Sequence, residues 1–219
     1  MIAVDGSNIH ALFPKPIGVY NIGRPLSDSE LDFIVGYERQ RNQTNAISAS
    51  RYILNEPELA DMREICSIKL NEYFLEVANP EYDIALSITQ SWINYAERGE
   101  PHHSHNHPNS YVSAVMFIQG GGTSDCIQFT DNLYGTKASF GIRPASHNIW
   151  NAREWSVGME PGDIVFFPAD LLHHVPKVDH DGERISLSFN SFFTGDLGDP
   201  FYCTRANIKT DGYLYKEEA

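Results

Sequence analysis

The sequence lacks any apolar run long enough to cross a membrane, because no stretch approaches the ~18 consecutive apolar residues that such a helix needs. It is also poor in cysteine. Cys66, Cys126 and Cys203 lie far apart and form no C-x-x-C pair, so a disulfide framework is not expected. Residues 1–6 have neither the basic start nor the apolar run of a signal peptide. These features predict a protein of a reducing compartment, the cytoplasm.

Positive charge is scarce as well. The 16 Lys and Arg residues stand against 29 Asp and Glu residues, for a net charge of −13, and no local basic patch interrupts this excess. Such a surface repels nucleic-acid phosphate and anionic lipid, so we expect neither a nucleic-acid partner nor a membrane partner. The composition is otherwise ordinary, with 42% hydrophobic and 21% charged residues, which excludes wholesale disorder.

The length of 219 residues fits a single domain, 1–219, in which the local patterns predict three segments. Residues 1–80 form a helical preface with short strands, 82–195 a β-rich core and 196–219 a C-terminal tail. Within the preface, Ser27 and Glu30 have the spacing of a capping box at a helix start. A longer helix is predicted over residues 58–78, where an apolar stripe recurs every three or four positions, at Leu59, Met62, Cys66, Leu70, Tyr73 and Val77.

Beyond residue 82 the hydrophobic period changes from that of a helix to the period of two that is typical of strands. Short runs of this kind, separated by Gly, Asn, Asp and Pro, occupy residues 84–89, 111–118, 127–129, 149–157, 164–167 and 184–193. Residues 132–146 are predicted to form a long loop. Many short strands with helices on one side predict a mainly β protein with flanking helices, a double-stranded β-helix of the jelly-roll or cupin-like type.

Four of the nine histidines fall within six residues, 102–107. Alternate residues of an extended segment point the same way, so His103, His105 and His107 are predicted to share one face. Two of them are enough for a metal site, and we choose His105 and His107 because they lie closest to the following strand. The alternatives are an exposed polar loop and a histidine-rich tract without function.

A third imidazole is expected from a neighbouring strand. Residues 161–163 are predicted to form a turn, and residues 164–167 an apolar strand that ends at Pro168. His173 and His174 follow this strand. One of the two is the expected ligand, while the other orients it or faces solvent. Three neutral imidazoles suit Fe(II), Zn(II), Cu(II) or Ni(II) and leave coordination positions open.

The predicted strand at 184–190 has one apolar face and one polar face. Ile185, Leu187 and Phe189 are expected to pack against the helices, and the opposite face carries Arg184, Ser186, Ser188 and Asn190. A row of polar side chains inside a β-sandwich costs free energy unless a polar group occupies the cavity between the sheets. The Arg184 guanidinium is a rigid fork for a carboxylate, and Ser186 can add a hydrogen bond. The alternative is a polar face that meets solvent.

These motifs together resemble a family of 2-oxoglutarate/Fe(II)-dependent oxygenases. The resemblance extends over about residues 80–195 and is carried by the segments 92–94, 105–113, 167–175 and 184–190. Each motif is modest alone, and their order and spacing make the resemblance specific.

The resemblance implies a role for each matched residue. His105 and His107 correspond to the first metal pair and His173 to the distal metal ligand. Arg184 and Ser186 correspond to the R-x-S pair that holds the distal carboxylate of 2-oxoglutarate. One position departs from the wider pattern, because His107 stands where a 2-His-1-carboxylate site has its acid.

One further residue, Asn94, is predicted to line the same cavity and to offer its amide to the co-substrate or the substrate. Gln90, Trp92 and Asn94 have the spacing that places them on one strand face, where Trp92 forms part of the wall. An asparagine at a strand end is also a common turn former, which is the alternative.

The function predicted is that of a non-haem Fe(II) and 2-oxoglutarate-dependent oxygenase that consumes O2, releases succinate and CO2, and hydroxylates a small-molecule or peptide substrate. The first alternative is a three-histidine cupin-like metalloenzyme that uses no keto-acid, and the second is a non-catalytic, metal-stabilised binding module. Arg184 discriminates between the oxygenase and the first alternative, since pairing of Arg184 with an acid or its exposure to solvent favours the enzyme that uses no keto-acid. The sequence indicates no oligomeric state.

Overall fold

The computed structural model describes residues 13–122, 125–131, 143–199, 201 and 204–209. Within these ranges the chain forms two α-helices, α1 at Asp28–Gly36 and α2 at Ala60–Ala78, and two 3-10 turns, at Ile53–Asn55 and Pro57–Leu59. None of the described helices is both long enough and apolar enough to span a membrane.

Twelve strands are present in the described part of the chain. In order they are β1 Gly18–Asn21, β2 Arg39–Arg41, β3 Ala46–Ser48, β4 Ile84–Ala96, β5 His102–His105, β6 Val112–Gln119, β7 Cys126–Thr130, β8 Glu154–Gly158, β9 Asp163–Pro168, β10 His173–Val175, β11 Arg184–Leu197 and β12 Ala206–Ile208.

The strands form two antiparallel sheets. The larger has the order β1-β9-β6-β11-β4-β3-β2, with β12 paired to the end of β11, and the smaller has the order β5-β10-β7-β8. One apolar cluster joins them, because Val115, Val165 and Phe167 of the larger sheet pack with Ile127 and Phe129 of the smaller. The result is the predicted mainly β sandwich with flanking helices, and the space between its sheets holds the site described below.

Helix α2 covers the outer face of the larger sheet. Its predicted apolar stripe is confirmed at Met62, Cys66, Leu70 and Tyr73, which are buried in the same core cluster as Ile185, Leu187 and Phe189 of β11. The stripe ends earlier than predicted, because Val77 is 46% exposed on the last turn. The helix ends at Asn79, which has the left-handed conformation favoured at a C-terminus.

The start of α1 confirms the predicted capping box. The Ser27 side chain accepts from the Glu30 backbone N–H, and the Glu30 carboxylate accepts from the Ser27 backbone N–H. The residues before the core also supply strands, since β1 pairs with β9 and β3 pairs with β4. The described part of segment 1–80 is thus built into the same sheet as the core.

Two sequence predictions about the region around β8 have different outcomes. The strand predicted over 149–157 is wrong in its first half, where Asn148 Oδ1 accepts from the Trp150 backbone N–H in a turn, and β8 begins only at Glu154. Ile149 and Trp150 are accordingly 69% and 51% exposed. The predicted loop at 132–146 falls mostly outside the described residues, as does Cys203.

Candidate metal centre and adjoining cavity

Three histidines from three places in the sequence meet at one end of the smaller sheet. His105 ends β5, His107 follows two residues later, and His173 begins β10 directly opposite His105. One ring nitrogen of each lies within 4.8 Å of a ring nitrogen of the other two. The structure therefore brings together the three imidazoles that the sequence predicted as metal ligands.

Backbone carbonyls orient two of these rings. The Nδ1 atom of His105 lies 2.8 Å from the His103 carbonyl oxygen, and Nδ1 of His173 lies 2.9 Å from the Leu171 carbonyl oxygen. A carbonyl can only accept, so each Nδ1 carries the proton and each Nε2 keeps a free lone pair. Hydrogen bonding of one ring nitrogen to a carbonyl is how metal-binding histidines are commonly held.

Burial keeps the three rings neutral. It lowers the pKa of His107 to about 3 and that of His173 to about 4, and it lowers the pKa of His105 in the same direction. Neutral imidazole is the form that coordinates a metal ion, so the rings need not release a proton before they bind one at neutral pH.

The adjacent His173 and His174 have different surroundings because successive residues of a strand point to opposite faces. His173 is only 4% exposed and lies in the triad. His174 lies outside the triad, and its Nδ1 atom is buried without a hydrogen-bond partner among the described residues.

A bulge in β5 adds a histidine that the sequence analysis did not select. His105 is paired with His173 and His102 with Val175, so two residues of β5 lie opposite the single residue His174. An extra residue of this kind reverses the strand alternation. His102 consequently lines the cavity beside His105, a result that the period-of-two rule could not predict.

The cavity beside the triad extends between the two sheets. Apart from the histidines and Asn45, its polar lining comes from β4 and β11, and most of its apolar wall comes from β4, β6, β7 and β9. Among the lining residues are Trp92, Asn94, Val115, Phe117, Ile127, Phe167, Arg184, Ser186 and Ser188. Asn94 is 8% exposed and its Nδ2 donates to Ser188 Oγ at 3.1 Å, while its Oδ1 has no hydrogen-bond partner among the residues that the structure describes. Asn94 therefore has the position that the sequence analysis expected.

Arg184 lies in the same cavity and is only 5% exposed. Its Nη1 atom is 3.6 Å from Asp125 Oδ1, and neither of these two atoms makes a hydrogen bond within the described part of the chain. Burial lowers the pKa of Arg184, while the Asp125 carboxylate acts in the opposite direction. The guanidinium thus lies near an acid, and its Nη1 atom can still donate a hydrogen bond to another group.

Asp125 is the residue that the sequence reasoning missed. It is 7% exposed, and its Oδ2 accepts from the backbone N–H groups of Gly121 and Gly122 at 2.7 and 2.9 Å. Oδ2 also lies 3.4 Å from His180 Nε2. A single aspartate after a glycine-rich turn carries no sequence signal for such a role, because its partner Arg184 is on a distant strand.

Comparison with protein families gives one match to this part of the chain. Residues 90–190 match a family model described as "Putative 2OG-Fe(II) oxygenase". The matched range contains all three histidines of the triad as well as Asn94, Asp125, Arg184 and Ser186. A comparison with curated proteins finds no match.

Solved structures share the fold at low sequence identity. An oxidoreductase of the 2OG-Fe(II) oxygenase family from Burkholderia pseudomallei is 12% identical, with a TM-score of 0.51 and 73% of each chain covered. The epimerase SnoN in complex with Fe3+, alpha ketoglutarate and nogalamycin RO is 15% identical, with a TM-score of 0.54 and coverage of 82% of this chain and 83% of that one.

A third structure, HygX from Streptomyces hygroscopicus with nickel, 2-oxoglutarate and hygromycin B bound, is 11% identical, with a TM-score of 0.54 and coverage of 81% and 82%. These structures have the double-stranded β-helix fold that the sequence predicted for this chain. The resemblance inferred from the motifs is confirmed as well: residues 90–190 of this chain match the 2OG-Fe(II) oxygenase family.

Proposed function

We propose that this protein is an Fe(II)- and 2-oxoglutarate-dependent oxygenase. The observation that carries the proposal is that His105, His107 and His173 converge at one end of a cavity in which Arg184 is also buried. A metal-ligand set and a buried cation for a carboxylate are the two protein components that this co-substrate pair requires.

The metal would be held by His105, His107 and His173. Their donor set fits iron, because three neutral imidazoles with free nitrogens suit Fe(II) and leave positions for other ligands. When bound, the iron and 2-oxoglutarate supply the oxidising chemistry, in which O2 is consumed and succinate and CO2 are released. The work of the chain is to position these groups and to exclude water.

The distal carboxylate of 2-oxoglutarate would be held by Arg184 and Ser186. Both side chains line the cavity, and Nη1 of Arg184 is buried without a hydrogen-bond partner in the ranges that the structure describes. A buried donor left in this state is costly, and a carboxylate oxygen would satisfy it with a charge-assisted hydrogen bond. We propose that Asn94 offers its amide to the co-substrate or substrate at the same wall. Its Nδ2 can donate to an oxygen of the co-substrate, and its Oδ1, which has no partner among the described residues, can accept from a donor of the substrate.

We propose hydroxylation of a small molecule or a peptide as the reaction. The cavity walls of Trp92, Phe117 and Phe167 are apolar and would keep water from the reacting groups. SnoN and HygX, which share the fold, were solved with the small molecules nogalamycin RO and hygromycin B. We assign the protein to the reducing cytoplasm, which suits both ferrous iron and the free thiols of Cys66 and Cys126.

The decisive experiment is a titration of 2-oxoglutarate into the anaerobic, Fe(II)-loaded protein, followed by the metal-to-ligand charge-transfer band that a chelated keto-acid produces. We expect a saturable band, and on admission of O2 with a panel of candidate substrates we expect succinate to form. If Fe(II) binds but 2-oxoglutarate neither binds nor is consumed, the proposal is wrong.

The second candidate is a three-histidine metalloenzyme that uses no keto-acid. The observation in its favour is the approach of Asp125 to Arg184, because the guanidinium already has an acid beside it. The titration above separates the two candidates, since the keto-acid-free enzyme would bind metal and give no charge-transfer band.

A further inference from the structure

A second group of three histidines lies beside the first and shares one member with it. His102, His103 and His105 each place a ring nitrogen within 4.8 Å of the other two. Their ring centroids are 5.1, 4.8 and 5.0 Å apart in the pairs 102–103, 102–105 and 103–105. We call these three the β5 triad, and His105, His107 and His173 the cavity triad.

The bulge in β5 creates this arrangement. In a regular strand the neighbours His102 and His103 would point to opposite faces. Here the extra residue opposite His174 allows their rings to stack, with an interplanar angle of 14°. The Nδ1 atom of His103 is also buried, and no described residue offers it a hydrogen bond. Burying a ring nitrogen without a partner costs free energy. A metal ion bound by this nitrogen and the two neighbouring imidazoles would remove that cost.

The two triads compete for His105. Its Nδ1 atom is engaged by the His103 carbonyl, which leaves the single lone pair of Nε2 for a metal. One lone pair coordinates one ion. An ion held by all three histidines of the β5 triad therefore leaves only His107 and His173 in the cavity triad.

We propose that the β5 triad is an alternative site for a divalent transition-metal ion and that its occupation excludes a complete cavity triad. The ligands are all imidazole, so the ions expected there are those with high affinity for nitrogen donors, Zn(II), Ni(II) and Cu(II). Such an ion acts as an inhibitor of whatever metal chemistry the cavity triad performs. The site itself depends only on the positions of three histidines and holds whether or not the protein uses 2-oxoglutarate.

The test is Zn(II) binding to the full chain, measured by competition with a chromophoric chelator and without any keto-acid. His107→Ala removes a ligand from the cavity triad alone, and His103→Ala removes one from the β5 triad alone. Loss of a mere hydrogen-bond partner of a metal ligand costs about 10- to 100-fold in metal affinity, so loss of a ligand should cost at least about tenfold.

We expect wild type to bind one tight Zn(II) per chain and His107→Ala to stay within about tenfold of it, because the β5 triad is intact. The double variant His103→Ala/His107→Ala should then lose at least about tenfold relative to His107→Ala. His174→Ala in the His107→Ala background is the matched control, since His174 is a neighbouring histidine in neither triad, and it should leave the affinity unchanged.

Two results would overturn the proposal: His103→Ala having no effect in the His107→Ala background, or two Zn(II) ions binding tightly to one wild-type chain. Circular dichroism establishes that each variant is folded. If His107→Ala does not fold, His107→Gln removes the same imidazole with a polar side chain in its place. The visible spectrum of bound Co(II) gives an independent comparison of the ligand sets in wild type and variant.

Discussion

At the scale of single residues, Arg184 and Asp125 determine how the cavity receives an anion. Both are buried, and their closest charged atoms are 3.6 Å apart without a hydrogen bond between them. A carboxylate that enters the cavity would share the guanidinium with Asp125. The two acids repel one another, so Asp125 weakens the binding of a dicarboxylate while it keeps the buried cation compensated.

The first prediction concerns Arg184. Arg184→Ala should weaken 2-oxoglutarate binding by about 2–5 kcal/mol, roughly 30- to 5000-fold, because the carboxylate loses its buried charge partner. Arg184→Lys keeps the charge without the fork and should fall between wild type and Arg184→Ala. Ser186→Ala should cost less, about 0.5–1.5 kcal/mol for one neutral hydrogen bond and up to ~3 kcal/mol if the bond is to a charged group.

These affinities are measured with the anaerobic charge-transfer titration, and Fe(II) affinity without keto-acid serves as the control that should barely change. Arg184→Ala also leaves Asp125 buried without a cation, which by comparison with other broken buried pairs costs about 3–5 kcal/mol of folding stability. The variant should therefore be titrated at a temperature at which it is folded. Undiminished binding in folded Arg184→Ala would contradict the co-substrate assignment.

The second prediction concerns Asp125. Asp125→Asn removes the negative charge but keeps a side-chain oxygen that can accept from Gly121 and Gly122. We expect 2-oxoglutarate to bind more tightly, by up to about tenfold, or 1.4 kcal/mol. A keto-acid without the distal carboxylate, such as pyruvate, is the control and should gain far less. Weaker binding of 2-oxoglutarate would show that Asp125 supports the guanidinium rather than opposing the co-substrate.

At the scale of elements, the start of α1 is held by a network that combines a cap with an ion pair. Glu30 is 4% exposed, accepts from the Ser27 backbone N–H, and receives Arg24 Nη2 on Oε1 at 2.6 Å. The Arg24 hydrogen bond is the main cause that lowers the pKa of Glu30. The helix start is therefore stabilised by the ionised form of one carboxylate.

The third prediction follows from the sign of that shift. A lowered folded-state pKa means that the stabilisation is fully present above the ordinary pKa of glutamate and is lost as the pH falls through the lowered value. Glu30→Gln should be less stable than wild type at neutral pH, and the difference should shrink as the solution becomes acidic. Urea unfolding of both proteins across this range measures it, with Glu64→Gln, at an exposed position of α2, as the control. A difference that does not change with pH would contradict the role of ionised Glu30.

At the scale of the whole molecule, the two core clusters serve different purposes. The larger cluster lies between α2 and the outer face of the eight-stranded sheet. The smaller cluster lies between the two sheets, beside the cavity triad. Phe167 belongs to the smaller cluster, and its ring centroid is 4.6 Å from that of His173. Packing on the helix side stabilises the fold, whereas packing between the sheets also positions His173, which we propose as a metal ligand.

The fourth prediction separates these two effects. Leu70→Ala, on the fully buried face of α2, should cost about 2–5 kcal/mol of stability and leave Zn(II) affinity unchanged. Phe167→Ala should cost about 3–5 kcal/mol, because it opens a space beside His173 that frees the ring. In a His103→Ala background, in which only the cavity triad is complete, Phe167→Ala should also weaken Zn(II) binding and Leu70→Ala should not. Denaturant unfolding and chelator competition measure the two quantities. Equal Zn(II) affinities of the two variants in the His103→Ala background would show that His173 is held by its Leu171 hydrogen bond alone.

The sequence by itself determined where the two helices and most of the core strands lie, and which histidines could bind a metal ion. The period of apolar residues specified α2 and the strands of the core, and Ser27 with Glu30 marked the start of α1. The same alternation separated the helix-facing Ile185 from Arg184 on β11. These are local properties, since the side-chain direction in a regular helix or strand follows from its position along the chain.

Only the tertiary structure decided which groups meet. The entry of His102 into the cavity depends on a bulge that is defined by pairing with β10, and His173 joins His105 because β5 and β10 are adjacent. Asp125 reaches Arg184 from another sheet, across a separation of many residues. A local pattern specifies where a side chain points, but contacts between distant segments are specified by strand order and register, which depend on the packing of the whole molecule.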